Sequence, residues 1–234
     1  EEALEAAEGV GEKELEQDTI FLKRLWRKVL ERRQKYPTSQ TLYAEWSLAF
    51  RILRDFVGDD LDKIRVDSRQ TFEQLAHFTD EFVPEMASKL DYYSGESPIF
   101  DLYDVENEIQ RALERKVELK SGGYLIIDQT EAMTTIDINT GAFVGHRNLE
   151  ETIFNTNIEA TAAIARQLRL RNLGGIIIID FIDMQSEDHR RRVLQSLEQA
   201  LAKDRAKTGV NGFSQLGLVE MTRKRTRESL EHVL

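Results

Sequence analysis

Two aspartates and an asparagine stand where a β-sheet would present them to a ligand. In MTTIDINTG, strand alternation puts Asp137 and Asn139 on one face and isoleucines on the other. Asp180 ends the apolar run GGIIIID, at the carboxyl end of a predicted strand, where ligands gather in open α/β sheets. If the two strands are neighbours, two carboxylates and one amide converge. Oxygen ligands of this kind suit Mg²⁺, so Asp137 and Asp180 are predicted metal ligands.

The other acidic and imidazole side chains are weaker candidates. An isolated aspartate at a strand end is commonly a helix cap or a salt-bridge partner, and this reading stays open for each carboxylate taken alone. Asp183 fits a cap or a supporting group, and Asp128 precedes predicted turn residues. His146 and His189 have no metal-ligand partner at a suitable spacing, so contact with solvent or phosphate is favoured over catalysis.

Basic residues are clustered between residues 121 and 234, although the whole chain carries a net charge of −10. Such clusters often form solvated helix faces, but a dense stretch such as RKRTR after a predicted strand is suited to a phosphate backbone. Phe143 follows the Asp137 strand, and base stacking and ordinary packing are equally favoured interpretations of this residue. The residues predicted to contact RNA are Phe143, Arg147, Arg169, Arg171, Lys207, Arg223, Lys224 and Arg225.

Hydrophobic periodicity predicts a mixed α/β chain that could position these residues. YLIIDQ and MTTIDIN are predicted to form a hairpin, and the isoleucine run to form a strand buried on both faces. VNGFS and GLVEMT are predicted as a final strand pair, and DKIRVDS as a short strand. Helices are predicted over about 20–30, 42–57, 72–83, 104–116, 150–171 and 187–203.

Composition bounds the class of protein. With 234 residues, of which 41% are hydrophobic and 32% charged, the chain can form one large or two modest globular domains. It contains no cysteine, which excludes disulfides and a Cys-based zinc site and fits a cytoplasmic location. No run approaches a membrane span, and no signal peptide is expected. A chain that begins at Glu1 with an acidic, weakly patterned stretch is expected to be a piece of a longer protein.

Three long segments resemble the RNase E/G family of bacterial endoribonucleases. They are GGYLIIDQTEAMTTIDINTGAF, FNTNIEATAAIARQLRLRNLGGIIIIDFIDM and GLVEMTRKRTRESL. Together they cover residues 121–234 almost continuously, and the resemblance extends back to about AAEGVGE. It implies that Asp137 and Asp180 bind a catalytic Mg²⁺ (with Mn²⁺ as an alternative) and that Asn139 lies beside them as a third catalytic residue.

The resemblance also implies a fold and a substrate. Residues 121–234 would form a DNase I-like catalytic subdomain, residues 58–120 an RNase H-like portion, and residues 1–57 a helical remnant of a 5′-sensor. The family cleaves single-stranded RNA to leave 5′-phosphate ends, in ribosomal RNA maturation and messenger RNA turnover. The full-length protein is expected to be a homodimer or higher oligomer and to have no membrane partner.

Some features of the family differ here. We expect residues 1–234 not to include its S1 RNA-binding domain, and Leu4 and Glu5 stand where the family has an Arg-Thr pair in its 5′-phosphate pocket. Lys207 matches a basic residue that assists that pocket. The family's Cys-rich zinc link has no counterpart, so zinc is not expected in this chain. Three hypotheses remain: an endoribonuclease, an RNA-binding scaffold that does not cleave, and a DNA-directed nuclease, which the lack of a histidine pair disfavours.

Overall fold

The structure, a computed structural model, describes residues 12–35, 46–55, 61–141 and 149–234. The chain divides into two compact units, Glu1–Tyr103 and Asp104–Leu234, each with its own hydrophobic core. Helices and strands occur in both units, which confirms the predicted mixed α/β class. The sequence predicted a boundary after residue 120, whereas the units divide after Tyr103.

The first unit is mainly helical around an aromatic core. Its one described sheet has two short parallel strands, β1 and β2. The core includes Phe21, Phe78 and Phe82, with Trp46 packed edge-on against Phe21 and Phe78. Its elements are α1 (Glu12–Lys35), α2 (Leu48–Asp55), β1 (Ile64–Val66), α3 (Arg69–Phe82), a 3₁₀ helix (Pro84–Lys89), β2 (Leu90–Tyr92) and α4 (Ile99–Leu102).

The second unit is built on a six-stranded sheet with the order β3-β4-β5-β6-β8-β7. Strands β5 and β6 run parallel, and the other neighbouring pairs of this sheet are antiparallel. The predicted hairpin and final strand pair are therefore confirmed. The elements are α5 (Val105–Leu113), β3 (Lys116–Glu118), β4 (Tyr124–Gln129), β5 (Met133–Asn139), α6 (Leu149–Leu170), β6 (Gly175–Asp180), α7 (Glu187–Leu201), β7 (Thr208–Phe213), β8 (Val219–Arg223) and α8 (Leu230–Val233).

One face of the six-stranded sheet packs against α6 and α7. Its core side chains include Leu125, Ile136, Ile177 and Met221, all nearly inaccessible, and they meet apolar residues of α6 and α7 such as Ile164. Burial of this many aliphatic groups is the main stabilising contribution to the unit. The opposite face carries the alternate residues of each strand, which are half-buried or exposed.

The isoleucine run is not buried on both faces as predicted. Ile177 and Ile179 are fully inaccessible, whereas Ile176 is 50% exposed. The reason is that the helices cover only one face, so β6 alternates like the other strands. A short strand also changes the predicted fourth helix. It ends at Leu113 because Lys116–Glu118 pairs with β4 as β3, which places this segment in the second unit.

Other predicted elements are found within the described residues. α1, α3, β1, α6 and α7 lie where the sequence placed helices and a strand, with ends differing by a few residues in most cases. Part of the predicted second helix, at 42–45, 56 and 57, lies outside the described residues. No helix of the described ranges combines the length and apolar character needed to cross a membrane. The DNase I-like and RNase H-like assignments stay predictions.

Candidate metal and active site

Asp137 and Asn139 lie near the carboxyl end of β5, on the sheet face away from the helices. Ile136 and Ile138 turn inward and are almost inaccessible, while Asp137 is exposed and Asn139 half-buried. The Nδ2 amide of Asn139 donates a hydrogen bond of 2.9 Å to Oδ2 of Asp137. The predicted shared face is therefore present, and the amide holds the carboxylate in place.

Asp180 is the direct neighbour of Asp137 across the parallel pair β5–β6. The register pairs Asp137 with Asp180 and, on the helix-facing side, Ile136 with Ile179. Partial desolvation of the exposed Asp180 carboxylate raises its pKa above the ordinary value, and the negative charges of Asp137 and Asp183 raise it further. The condition on which the predicted site depended, that the strands of the two aspartates are neighbours, is therefore met. Two like charges on adjacent strands repel unless a cation or proton lies between them.

Asn157 holds the segment that follows Asp180. It is a fully buried residue of α6, and its side-chain amide donates to the carbonyl of Ile182 and accepts from the Ile182 amide, at 2.8 and 3.1 Å. Glu150 accepts from the backbone amides that follow, those of Gln185 and Ser186. The sequence analysis did not single out these residues. The segment FNTNIEA mixes polar with apolar side chains, which was the available signal for Asn157, whereas Glu150 lies outside this segment.

Hydrogen bonds and a close backbone contact hold the turn before β4 next to Asn139. The carboxylate of Glu159 accepts hydrogen bonds from the amides of Lys120 and Ser121, at 2.6 and 3.1 Å. Burial by itself would raise the pKa of Glu159, but these hydrogen bonds outweigh it, so the pKa is lowered. A Cβ on Gly123 would lie 2.6 Å from the Asn139 carbonyl oxygen. Only glycine therefore allows the turn to lie against this end of β5.

Most of the predicted RNA-contacting cations lie at the other end of the sheet from Asp180. Strand β8 pairs Arg223 with Gly175, five residues before Asp180, and the amide of Lys224 bonds the carbonyl of Lys207. At about 3.3 Å per residue the separation along β6 is about 17 Å. Arg225, whose Nε donates to the Gly174 carbonyl, is also at this end.

Two of the predicted RNA contacts are corrected by burial. Arg223 lies on the inner face of β8 with Met221 and is 6% exposed. It forms a bidentate ion pair with Asp204, with N···O distances of 2.8 and 3.1 Å. Arg171 is 7% exposed and bonds Gln167 within α6. Guanidinium groups turned into the interior are not available to a phosphate backbone, so these two residues have structural roles.

Some of the remaining predicted candidates lie outside the described residues, and the others are exposed or have partners within the chain. Phe143, Arg147 and His146 lie outside the described residues. Arg169 is exposed near the end of α6 and donates to the Ala200 carbonyl. Among the other acidic and imidazole candidates, Asp183 is exposed in the loop after β6, and Asp128 is ion-paired with Arg115. His189 stacks on Phe154 with a ring separation of 4.3 Å.

The donor set fits a hard divalent cation. Two carboxylates and an amide oxygen are ligands that Mg²⁺ accepts, with water and substrate phosphate filling the other positions. In the described ranges no group of three or more His, Cys, Asp or Glu side chains could hold a metal ion. Asp137, Asp180 and Asn139 offer only oxygen ligands, a set that suits Mg²⁺ better than a closed zinc site.

Comparison with known proteins supports the resemblance drawn from the motifs. The model of the ribonuclease E/G family matches residues 5–226. Ribonuclease G of Escherichia coli K12 is 76% identical over 229 residues, which cover 98% of this chain and 47% of that protein. Ribonuclease G of Haemophilus influenzae is 73% identical over 229 residues, which cover 98% of this chain and 47% of that protein. Ribonuclease E of Escherichia coli K12 is 40% identical over 225 residues, 95% of this chain and 21% of its own.

The chain thus spans about half the length of the ribonuclease G proteins that it matches. The family match covers both compact units and includes the paired aspartates. On these grounds the chain belongs to the ribonuclease E/G family.

Proposed function

We propose that this chain carries the catalytic site of a Mg²⁺-dependent endoribonuclease. The reaction would be hydrolysis of phosphodiester bonds in single-stranded RNA, leaving 5′-phosphate ends. The observation that carries the proposal is the side-by-side register of Asp137 and Asp180 on the sheet face away from α6 and α7. Relatives up to 76% identical to this chain are named ribonucleases, which supports RNA as the substrate.

Each site residue has a defined task in this proposal. Asp137 and Asp180 would hold the cation, with Mn²⁺ as an alternative to Mg²⁺. Asn139 fixes the orientation of Asp137 through its 2.9 Å hydrogen bond. When bound, Mg²⁺ supplies Lewis-acid stabilisation of the charge on the scissile phosphate. Asn157 keeps the backbone after Asp180 in one position through its two bonds to Ile182.

The exposed cations at the far end of the sheet suit a more distant part of the RNA. Lys207, Lys224, Arg225 and Arg169 would neutralise phosphates several nucleotides from the scissile bond and would increase affinity without reading sequence. Phe143 and Arg147, which follow Asn139 in the chain, are also proposed as RNA contacts.

The biological setting follows from the family. We propose a cytoplasmic role in ribosomal RNA maturation and messenger RNA turnover, within a full-length protein that forms a homodimer or a higher oligomer. The DNase I-like and RNase H-like folds proposed for residues 121–234 and 58–120 belong to the same expectation.

Substitution of the paired acids tests the proposal directly. Asp137→Asn and Asp180→Asn should each reduce Mg²⁺-dependent cleavage of a labelled single-stranded RNA by at least about a hundredfold, a loss typical of removing a charge-stabilising group. Asp128→Asn is the matched control, because Asp128 lies on the adjacent strand and is paired with Arg115. Its cleavage rate should remain close to that of the unmodified chain.

Three other results would contradict the proposal. Full activity in either Asn variant would remove the aspartates from the site. Salt-sensitive RNA binding without any product would identify an RNA-binding module instead of an enzyme. Cleavage of duplex DNA in preference to RNA would identify a DNA-directed nuclease. Thermal melting of each variant shows whether its fold is intact.

A further inference from the structure

Tyr124 lies beside the proposed site residues, on the strand next to that of Asn139. It begins β4, and the antiparallel register places it directly opposite Asn139 of β5. Its neighbour Leu125 is inaccessible in the core, so strand alternation turns Tyr124 to the face that carries Asp137. Directly opposed side chains have Cβ atoms about 4.5–5.5 Å apart. The sheet thus presents in sequence Tyr124, Asn139, Asp137 and Asp180.

The Tyr124 ring is accompanied by a cation. Nζ of Lys116, on β3, lies 4.2 Å from the ring centroid. The ammonium group of Lys116 donates a hydrogen bond of 2.6 Å to the Glu118 carboxylate, and this bond is the largest cause that raises the pKa of Lys116, so the ammonium group stays charged. An aromatic ring with an adjacent positive charge is the combination with which proteins hold single-stranded nucleic acids.

The Tyr124 side chain is half-buried and is not part of the core. It is absent from the cluster of aliphatic residues that fills the helix-covered face. Within the described parts of the chain, its hydroxyl group makes no hydrogen bond, although buried tyrosines usually satisfy theirs. Within the described ranges, Lys116 lies against one side of the ring, and the other side and the hydroxyl group have no recorded partner.

The backbone that leads to the ring is also anchored. The residues immediately before it are fastened by Glu159 and by the close approach of Gly123 to the Asn139 carbonyl. A pre-positioned ring loses little conformational entropy on binding, which favours its use as a stacking surface. The register relates Tyr124 to Asp137 by one strand, about 4.8 Å, and by two residues along β5, about 6.8 Å.

We propose that Tyr124 is a stacking subsite for a nucleobase of single-stranded RNA next to the scissile phosphate, and that Lys116 contacts a phosphate of the same strand. The proposal rests on the proposed function, because it takes Asp137 and Asp180 as the place of cleavage. The subsite accepts any base, since each has a π face, and it therefore contributes affinity and position rather than sequence choice.

The test separates the ring from the hydroxyl group. Binding of a short fluorescent single-stranded oligoribonucleotide in EDTA is measured for the full chain, Tyr124→Leu and Tyr124→Phe. Loss of one stacked base predicts that Tyr124→Leu binds about 5- to 100-fold more weakly, whereas Tyr124→Phe stays within about twofold of the unmodified chain. Ile176→Thr, an exposed position at the other end of the same face, is the control and should bind normally.

A second measurement uses 2-aminopurine placed at successive positions of the RNA. Stacking on Tyr124 should quench its fluorescence at the nucleotide beside the cleavage position, and Tyr124→Leu should remove that quenching. Equal binding by the unmodified chain and Tyr124→Leu, or equal weakening by the Leu and Phe variants, would overturn the subsite. Loss of the subsite alone leaves the effects of Asp137→Asn on cleavage intact. If the unmodified chain binds no RNA, both the subsite and the proposed function fail.

Discussion

Replacing Asp180 by Asn should make the protein more stable at neutral pH while it destroys the proposed activity. Asp180 faces Asp137 across neighbouring strands about 4.8 Å apart. Two unit charges at about 5 Å repel by about 3 kcal/mol at an effective dielectric constant of 20 and by about 0.8 kcal/mol in water. Both side chains are exposed, so screening favours the lower end, about 1 kcal/mol.

The sign of the pH dependence follows from the raised pKa of Asp180. Between the ordinary value and the raised pKa, the folded chain binds a proton more readily than the unfolded chain does. The ionised carboxylate therefore destabilises the fold above the raised pKa, and this cost disappears as the pH falls through it. Asp180→Asn removes the cost, so its advantage should be present at neutral pH and should vanish in acid.

Thermal melting in EDTA measures this effect. A gain of about 1 kcal/mol corresponds to a rise in Tm of about 2–4 °C for a chain of this size. Mg²⁺ should stabilise the unmodified chain and leave Asp180→Asn unchanged, because the ligand binds only the intact acid pair. Asp128→Asn is expected not to gain stability, since the Arg115 hydrogen bond lowers the pKa of Asp128. A Tm of Asp180→Asn at or below that of the unmodified chain would refute the repulsion between the two aspartates.

Two further predictions concern residues that support the site or the core. Arg223→Met should lower the free energy of unfolding, measured in urea, by about 3–5 kcal/mol, because it leaves Asp204 buried without its partner. The control Lys224→Met, at the exposed next position, should change stability little. Similar losses in the two variants would contradict a buried ion pair. Asn157→Leu should reduce Mg²⁺-dependent cleavage about 10- to 100-fold with RNA affinity in EDTA unchanged, by releasing the loop after β6. Asn155→Ala, on the exposed side of the same helix, should cleave normally, and an equal loss there would assign the effect to the helix as a whole.

Much of the site could be predicted from local patterns. Alternation along MTTIDIN gave the shared face of Asp137 and Asn139, and the buried isoleucines confirm it. The position of Asp180 after an apolar run predicted a strand end. The register that pairs Asp180 with Asp137 was a conditional prediction, because pairing between distant strands depends on the crossover through α6 rather than on local sequence.

The errors have a common physical cause in tertiary context. The clustering of basic residues predicted RNA contacts without regard to alternation, which turns Arg223 to the inner face of β8. Four successive isoleucines indicated burial on two faces, but the helices cover one, and Ile176 remains half exposed. Strand β3 has three residues, too few for a pattern, and pairing with β4 alone identifies it.

The parallel pairing of β5 and β6 also determines at which point in synthesis and folding Asp137 and Asp180 can come together. A hairpin cannot join parallel strands, so the chain must complete the α6 crossover before Asp180 reaches Asp137. During synthesis from the N-terminus, the ribosome has therefore released Asp137 and Asn139 well before their partner leaves the exit tunnel. A nascent chain that stops short of β6 therefore carries Asp137 without the second carboxylate of the acid pair.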